Sequence, residues 1–197
     1  KSKTLSAFSL KDIYIDKDKI YISYTEEIKE NCWNTSIIHG NINYENIIFK
    51  KLFSSKDCII TKGSNQNGGR IVNFDDNHIL LSVGDYRGRA LPQDKKSING
   101  KILKINVSNS NYEIVSMGHR NPQGLYFDKK NNLILVTEHG PYGGDEINLI
   151  ETSKINKDEP LNYGWAVVSA GEHYCSVNSK TEEQKEKCAK IYEEFPL

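Results

Sequence analysis

The hydrophobic positions of the chain fall into short runs rich in isoleucine, valine and aromatic residues, and clusters of Asn, Asp, Gly or Lys bound each run. β-Branched and aromatic residues favour strands, and short apolar runs between turn-forming residues are typical of an all-β protein. The predicted strands lie at residues 13–15, 20–22, 36–38, 47–49, 59–60, 79–81, 102–105, 114–115 and 133–136.

Only one segment has the three-to-four spacing of apolar residues that an amphipathic helix needs. It runs from Thr181 to Phe195, is dense in Glu and Lys, and has a thin apolar stripe. Its Thr-Glu-Glu opening suits a helix start. We therefore expect residues 172–195 to form a polar, helical insertion that decorates the β-domain.

An acidic turn followed by a hydrophobic strand recurs along the chain, with copies beginning at Asp16, Asp75 and Asp128. Asp and Asn suit tight hairpins because they tolerate left-handed backbone. A repeat of about 50–60 residues is in the range of a four-stranded propeller blade. A β-sandwich would give similar strands without this repeat. We therefore predict an all-β fold in which residues 1–197 belong to a single β-propeller domain and form about three blades of four-stranded antiparallel sheet.

Three blades cannot close a ring. Propellers protect their strand edges by circular closure, so an isolated part would leave edges and blade faces uncovered. The prediction is that the remainder of the propeller lies in the same polypeptide. The alternative is that a second copy of the chain completes the ring.

The charges of the chain balance, with 26 Lys and Arg against 26 Asp and Glu. No net field therefore draws it towards nucleic acid or an anionic membrane. No apolar run reaches the roughly 18–20 residues of a membrane span. We expect neither a nucleic-acid partner nor a membrane span.

Four cysteines are present, and none is placed at the spacing of a zinc site. Cys175 and Cys188 flank a short polar segment and would staple it in an oxidising compartment. The alternative is that all four cysteines are reduced thiols.

Three polar segments interrupt the strand pattern, and they are too rich in Gly, Pro and charge to be core. We read them as loops on a sheet scaffold, where functional residues tend to lie. They read GHRNPQGL at 118–125, EHGPYGGDEINLI at 138–150 and NYGW at 162–165. In wording and order they resemble the soluble glucose/sorbosone dehydrogenase family, whose members bind pyrroloquinoline quinone (PQQ) and calcium on a six-bladed β-propeller.

The resemblance implies roles for the first segment. Arg120 and Asn121 would lie against the quinone and the reacting sugar, with Gln123 nearby. An Arg can give a charge-assisted hydrogen bond to a quinone or carboxylate oxygen. The alternative is a turn in which Arg120 pairs with a carboxylate at the surface.

The second segment, by the same resemblance, would hold calcium through the carbonyl groups of Gly140 and Pro141. Calcium accepts backbone carbonyl ligands readily. His139 and Asp145 would lie beside the cofactor. Glu146 and the Tyr163 carbonyl match positions that bind a further calcium in some members, but the later carboxylate of that site falls near His173 here. The alternative for Asp145 and Glu146 is a hydrated turn.

The resemblance also places Asp85 where the family has an aspartate that orients the catalytic histidine. Gln66 stands in the place of that histidine, and Asn65 in the place of the carboxylate before it. Glutamine cannot act as a general base near neutral pH, and losing such a base costs about 10²–10⁴ in rate. The basic residues that hold the quinone carboxylates are expected beyond Leu197.

Two functions follow. One is part of a quinoprotein dehydrogenase that oxidises an aldose or polyol by calcium-assisted hydride transfer to PQQ, with its base replaced by Gln66. The other is a non-catalytic propeller module that binds a sugar, a glycan or a protein. The resemblance implies a periplasmic or extracellular location and a small-molecule sugar as partner.

Overall fold

The computed structural model describes residues 10–43, 45–60, 65–171, 181–186 and 190. The described part of the chain is nearly all β, with two short 3₁₀ turns (Leu91–Gln93 and Thr152–Lys154) and a helical turn at 182–186. The strands are β1 (Leu10–Asp16), β2 (Lys19–Lys29), β3 (Cys32–Asn41), β4 (Lys50–Ser54), β5 (Gly68–Asp75), β6 (His78–Val83), β7 (Lys101–Asn106), β8 (Tyr112–Met117), β9 (Pro122–Asp128), β10 (Leu133–Glu138), β11 (Glu146–Glu151) and β12 (Leu161–Asn162).

The strands form three sheets in chain order. The first sheet has the order β1-β2-β3-β4, the second β12-β8-β7-β6-β5, and the third β11-β10-β9. Pairing is antiparallel throughout, except that the two-residue β12 runs parallel to β8 at the outer edge of the second sheet. The first strands of successive sheets are neighbours, because β1 contacts β5 and β5 contacts β9. This is the radial arrangement of propeller blades around an axis, and the predicted partial β-propeller is confirmed.

The core lies between the blades. Ile37 and Leu52 of the first sheet pack with Leu81 of the second in one buried cluster, and Leu80 of the second packs with Ile134 of the third in another. Successive residues of a strand point to opposite faces, so the middle blade needs apolar residues on both. This explains the three consecutive apolar residues Ile79, Leu80 and Leu81 of β6.

The outer faces of the first and third sheets are partly uncovered. Ile13 and Ile15 on β1 are 57% and 55% exposed, and Ile147 on β11 is 76% exposed. In a closed ring such faces would pack against further blades.

The acidic turns are hairpins at one end of the blades. The turns after Asp16, Asp75 and Asp128 join the first and second strands of successive sheets. Lys17 and Asn132 within them have positive φ values of 56° and 55°. The repeat therefore arises because each blade opens with a short hairpin that follows an aspartate, with two residues in the first two loops and four in the third.

The strands differ from the sequence prediction in several places. The segments 118–125 and 138–150, read as loops, contribute to β9 and β11, and the inner strand β5 and the short β12 were not predicted. The strand expected at 47–49 lies at Lys50–Ser54, and the one expected at 59–60 is a single bridge between Ile59 and Trp33. β9 is an inner strand with half-exposed side chains, and β11 is an edge strand that alternates between exposed and covered positions. Neither needs a continuous apolar run, so the hydrophobic pattern does not reveal them.

The alternative that all four cysteines are reduced is wrong, because two of them are bonded. Cys32 and Cys58 form a disulfide with a Cα–Cα distance of 5.0 Å. Trp33 and Ile59 pair across the same two segments, and this pairing sets the cysteines side by side.

The proposed Cys175–Cys188 disulfide lies outside the described residues. So does most of the predicted 172–195 insertion, of which the structure describes 181–186 and 190. Among the described residues, no helix is long and apolar enough to cross a membrane.

Replacing both Cys32 and Cys58 by Ala should lower the free energy of unfolding by about 3 kcal/mol, since the bond closes a loop between cysteines 26 positions apart. Urea unfolding of the two single variants and the double variant checks this. Each single variant should lose about as much as the double, because either change removes the bond. A double variant as stable as the wild type would contradict the expectation.

Candidate active site at the end of the inner strands

Polar residues gather at the end of the blades opposite the acidic hairpins. Gln66 precedes β5, Asp85 follows β6, and Arg120 lies between β8 and β9. Antiparallel pairing joins the start of β5 to the end of β6 and the start of β9 to the end of β10. Segments that are distant in sequence therefore meet at one place.

The side chain of Gln66 links Asp85 to Arg120. With its amide oriented to satisfy both neighbours, Nε2 donates to Asp85 Oδ1 at 2.7 Å and Oε1 accepts from Arg120 Nη2 at 2.8 Å. The backbone of Gln66 has a φ of 67°, and its carbonyl accepts a bond from the Tyr86 amide at 3.1 Å. Gly84 permits this approach, because a Cβ there would overlap the Gln66 carbonyl oxygen.

Asp85 is fully buried. Its Oδ1 accepts from the backbone N–H of Arg87 at 2.8 Å, and its Oδ2 accepts from Trp165 Nε1 at 2.7 Å. Burial raises the pKa of Asp85 to about 6, against the opposing effect of these hydrogen bonds and of the Arg120 and Arg89 guanidinium groups. Carboxyl groups with such raised pKa values are typical of functional sites.

The raised pKa of Asp85 predicts a pH-dependent stability. The folded pKa of about 6 lies above the unfolded value of 3.8. The native state therefore binds more protons between these values, and stability falls as pH rises through them. Relative to Asp85→Asn, the wild type should lose roughly 2–3 kcal/mol of unfolding free energy between about pH 4 and about pH 7. Urea unfolding at both pH values checks this, and parallel curves for the two proteins would contradict it.

Arg120 is 7% exposed and lies among backbone oxygens. Its Nη1 donates to the carbonyls of His139 at 2.8 Å and Gly140 at 2.6 Å. Its own carbonyl accepts from the Asp85 N–H at 2.8 Å. The alternative of a surface turn is wrong, because the side chain is buried at the meeting point of three loops.

A buried histidine, His119, stabilises the loop that carries Arg120. His119 Nδ1 lies 2.8 Å from Glu138 Oε1, and its Nε2 lies 2.8 Å from Ser116 Oγ. Although burial opposes its charge, the facing His119 ring and the Arg120 N–H hold the pKa of Glu138 below its usual range. Ser116, His119 and Glu138 have the bonding order of a hydrolase triad. Ser116 and His119 have no exposure, however, so no substrate reaches them and their role is structural.

Asn121 and Gln123 connect the start of β9 to the start of β5. Asn121 Oδ1 accepts from Gln123 Nε2 at 2.8 Å and from the Gly68 N–H at 3.3 Å. The Gln123 carbonyl accepts from Arg70 Nε at 2.6 Å. Both residues follow Arg120 closely in sequence and lie at the start of β9.

Residues 139–145 form the loop between β10 and β11. The His139 ring is exposed and its Nδ1 lies 3.2 Å from the Asp145 carboxylate, which also accepts from the Gly140 N–H at 3.1 Å. The Pro141 carbonyl accepts from the Gly144 N–H at 2.9 Å. Gly140 is needed here, because a Cβ would overlap the Gly144 carbonyl.

This loop fits a cation in part. Carbonyl oxygens are good calcium ligands, and the His139 and Gly140 carbonyls converge on one positive group, Nη1 of Arg120. The Pro141 carbonyl instead accepts a bond inside its own loop. Within the described ranges, no group of three or more His, Cys, Asp or Glu side chains could hold a metal ion.

Glu146 and Tyr163 belong to the His119 network. The Asn148 amide donates to Glu138 at 2.6 Å and to Glu146 at 3.3 Å. Burial and the charge of Glu138 raise the pKa of Glu146. The Tyr163 ring stacks on His119 with centroids 5.1 Å apart. The structure therefore stacks the Tyr163 ring on the imidazole and links Glu146 to Glu138 through Asn148.

Sequence reasoning missed two residues of the site. Glu138 ends an apolar strand, and an acid in that position is a signal of a buried polar partner. Trp165 stands in the NYGW segment and is 6% exposed, with its indole on Asp85. Its bulk favours a core position, and only the fold shows that its N–H reaches a carboxylate.

These features define a class: a β-propeller with a buried polar site at one axial end. The family model for glucose/sorbosone dehydrogenases matches residues 5–194, and the chain belongs to that family. Aldose sugar dehydrogenase YliI of Escherichia coli (strain K12) is 28% identical over 172 residues, which is 79% of this chain and 44% of that protein. Quinoprotein glucose dehydrogenase B of Acinetobacter calcoaceticus is 39% identical over 80 residues, which is 41% of this chain and 13% of that protein.

Solved structures agree with this assignment. The apo form of the soluble E. coli aldose sugar dehydrogenase superposes with a TM-score of 0.71 at 26% identity, covering 90% of this chain and 54% of that one. The PQQ-bound aldose sugar dehydrogenase of Streptomyces coelicolor superposes with a TM-score of 0.59 at 25% identity, covering 79% and 47%. The chain thus spans about half the length of these relatives or less.

Proposed function

We propose that this chain is part of a PQQ-dependent sugar dehydrogenase whose axial site binds the quinone and an aldose, and in which Gln66 makes the chemical step slow. The observation that carries the proposal is that Asp85 and Arg120, which the family resemblance places at the reaction site, meet in one buried cluster with Gln66 between them. Family membership supplies the reaction class, oxidation of a sugar hydroxyl.

Gln66 would slow removal of the proton from the substrate hydroxyl. Sugar oxidation requires that the hydroxyl proton leaves as hydride departs from carbon, and a general base at this point is worth about 10²–10⁴ in rate. The amide nitrogen of glutamine has no available lone pair, and its oxygen accepts from the Arg120 guanidinium. Asp85 has a suitable pKa, but its carboxylate is buried behind Gln66.

Arg120 would steady the developing negative charge on the substrate oxygen. Its guanidinium is fixed by two backbone carbonyls and by Gln66, so it needs no rearrangement during the reaction. Asn121, Gln123 and His139, which lie beside it, would contact the cofactor.

The proposed cofactor site rests on the same loops. When bound, PQQ would accept the hydride, with calcium polarising it as a Lewis acid. The proposed calcium ligands are Gly140 and Pro141, with Glu146 and Tyr163 for a further calcium; the Gly140 carbonyl also accepts from Arg120 Nη1. Asp145 adds negative charge next to Gly140.

The rest of the ring is proposed to come from the same polypeptide. The exposed Ile13 and Ile147 faces suit packing against further blades. The Cys32–Cys58 disulfide suits an oxidising compartment, which supports a periplasmic or extracellular location.

A sugar-binding module without oxidation is the second candidate. The hydrogen bonds at both ends of the Gln66 amide favour it, because they give this residue a structural role between the Asp85 carboxylate and the Arg120 guanidinium. The two candidates differ in whether any quinone is reduced when sugar is added.

Titration of the full-length protein with PQQ, with and without calcium, tests the proposal. We expect calcium-dependent binding seen as a change in quinone absorbance, followed by slow reduction when aldoses are added. Absence of PQQ binding under both conditions would refute it. Sugar binding without quinone reduction would favour the binding module.

A further inference from the structure

The geometry points to Trp165 as a positioning residue of this site: its indole N–H holds the Asp85 carboxylate, and its ring carries the Arg120 guanidinium, so that Gln66, Asp85 and Arg120 stay in one arrangement. The inference rests on the proposed function and extends it to a residue with no assigned role.

The indole makes a direct bond to the carboxylate. Trp165 Nε1 donates to Asp85 Oδ2 at 2.7 Å, while the other oxygen, Oδ1, accepts from Gln66 and from the Arg87 N–H. With donors on both oxygens, the carboxylate cannot rotate without breaking a buried hydrogen bond. The rotation of Asp85 in turn sets the direction of the Gln66 amide.

The ring of Trp165 meets two positive groups. The Cζ atoms of Arg120 and Arg89 lie 5.3 and 5.6 Å from its centroid. Cation–π attraction of this kind strengthens when the groups are desolvated, and Arg120 is buried. The side chain of Trp165 therefore contacts both the Asp85 carboxylate and the Arg120 guanidinium, the two groups that Gln66 links.

The backbone of Trp165 is held independently of its side chain. Its N–H donates to the Gly118 carbonyl at 3.0 Å, and its carbonyl accepts from Gln93 Nε2 at 2.6 Å. The segment that carries Gln93 is tied down by the buried ammonium of Lys101, which donates to the carbonyls of Leu91 and Pro92 at 2.8 and 2.9 Å. Because these contacts fix the backbone of Trp165, its side chain can hold Asp85 and Arg120 in place.

Trp165→Phe separates the two interactions. Phenylalanine keeps an aromatic ring for Arg120 and removes the N–H that Asp85 uses. Trp33→Phe is the matched control, because Trp33 lies on β3 in the first sheet, where its backbone pairs with Ile59.

The first readout needs no cofactor. In the ¹⁵N-labelled full-length apoprotein, the indole N–H resonance of Trp165 is assigned as the one that disappears in Trp165→Phe. We expect Asp85→Asn to shift this resonance upfield, because its acceptor changes from a charged to a neutral oxygen, while the resonance that disappears in Trp33→Phe stays in place. An unmoved Trp165 resonance would overturn the inference.

The second readout is kinetic and uses the Gln66→His background, in which the base is restored. Adding Trp165→Phe should lower kcat about ten- to a hundredfold with little change in KM, as expected when a reacting group is misplaced while substrate binding is unaffected. Adding Trp33→Phe should change neither. An unchanged kcat with Trp165→Phe would overturn the inference even if the resonance moves.

The two hypotheses fail in different ways. If the quinone-loaded Gln66→His protein oxidises no sugar, the proposed function fails, and the indole resonance still decides whether Trp165 holds Asp85. If that protein is active, but the Trp165 resonance does not respond to Asp85→Asn or kcat does not respond to Trp165→Phe, the proposed function stands and the positioning role is refuted.

Discussion

Replacing Gln66 by His should raise sugar oxidation by the reconstituted full-length protein about 10²-fold or more, because it restores a general base. Histidine is tolerated in the left-handed backbone that this position requires, with φ at 67°. Asp85 would orient the imidazole through one ring nitrogen, leaving the other to take the proton. Steady-state turnover with PQQ, calcium and an artificial electron acceptor measures the gain.

Gln66→Asn is the matched control for this change. It alters the same position and keeps an amide that cannot act as a base, so turnover should not rise. Adding Asn65→Asp to Gln66→His should raise turnover further by orienting the imidazole. Equal turnover in the wild type and Gln66→His would mean that another group removes the proton.

Replacing Arg120 by Lys should lower kcat/KM of the Gln66→His protein about 10²-fold or more, because lysine retains the charge but cannot reproduce the planar fork. In the Gln66→His protein the guanidinium keeps its bonds to the His139 and Gly140 carbonyls, and a single ammonium at the end of a flexible chain cannot satisfy the same geometry while facing the substrate. Turnover and PQQ affinity, measured on protein shown to be folded by circular dichroism, check this.

The control for Arg120 is Arg87→Lys. Arg87 is exposed and reaches Asp85 through its backbone N–H, which the substitution leaves intact. Its activity should stay within about twofold of the parent, as is usual for surface substitutions. Full activity in Arg120→Lys would show that the reaction does not depend on the planar guanidinium of Arg120.

The hydrophobic pattern was sufficient for the blades but not for their inner and edge strands. β6 is predictable because both faces of the middle blade are covered, so that Ile79, Leu80 and Leu81 are all buried. The inner strands β5 and β9 and the edge strand β11 were missed because their exposed or half-exposed positions tolerate polar residues and glycine. The recurring hairpins were visible because tight turns demand particular residues.

The candidate site was likewise only partly predictable from the sequence. Gln66, Asp85 and Arg120 could be selected from motif wording, since each stands at a strand end in a Gly-rich context. Their mutual contacts depend on which strands pair, and no local pattern encodes that. The Cys32–Cys58 bond and the Trp165 contact with Asp85 were invisible for the same reason, because each joins segments far apart in sequence.

The rate of quinone reduction in a single turnover tests the central claim most directly. Wild-type full-length protein, loaded with PQQ and calcium, is mixed anaerobically with excess aldose and followed by absorbance, beside Gln66→His. The account predicts reduction in the wild type that is measurable but at least about a hundredfold slower than in the variant, since only the base differs. Reduction at the same rate in both proteins would contradict it.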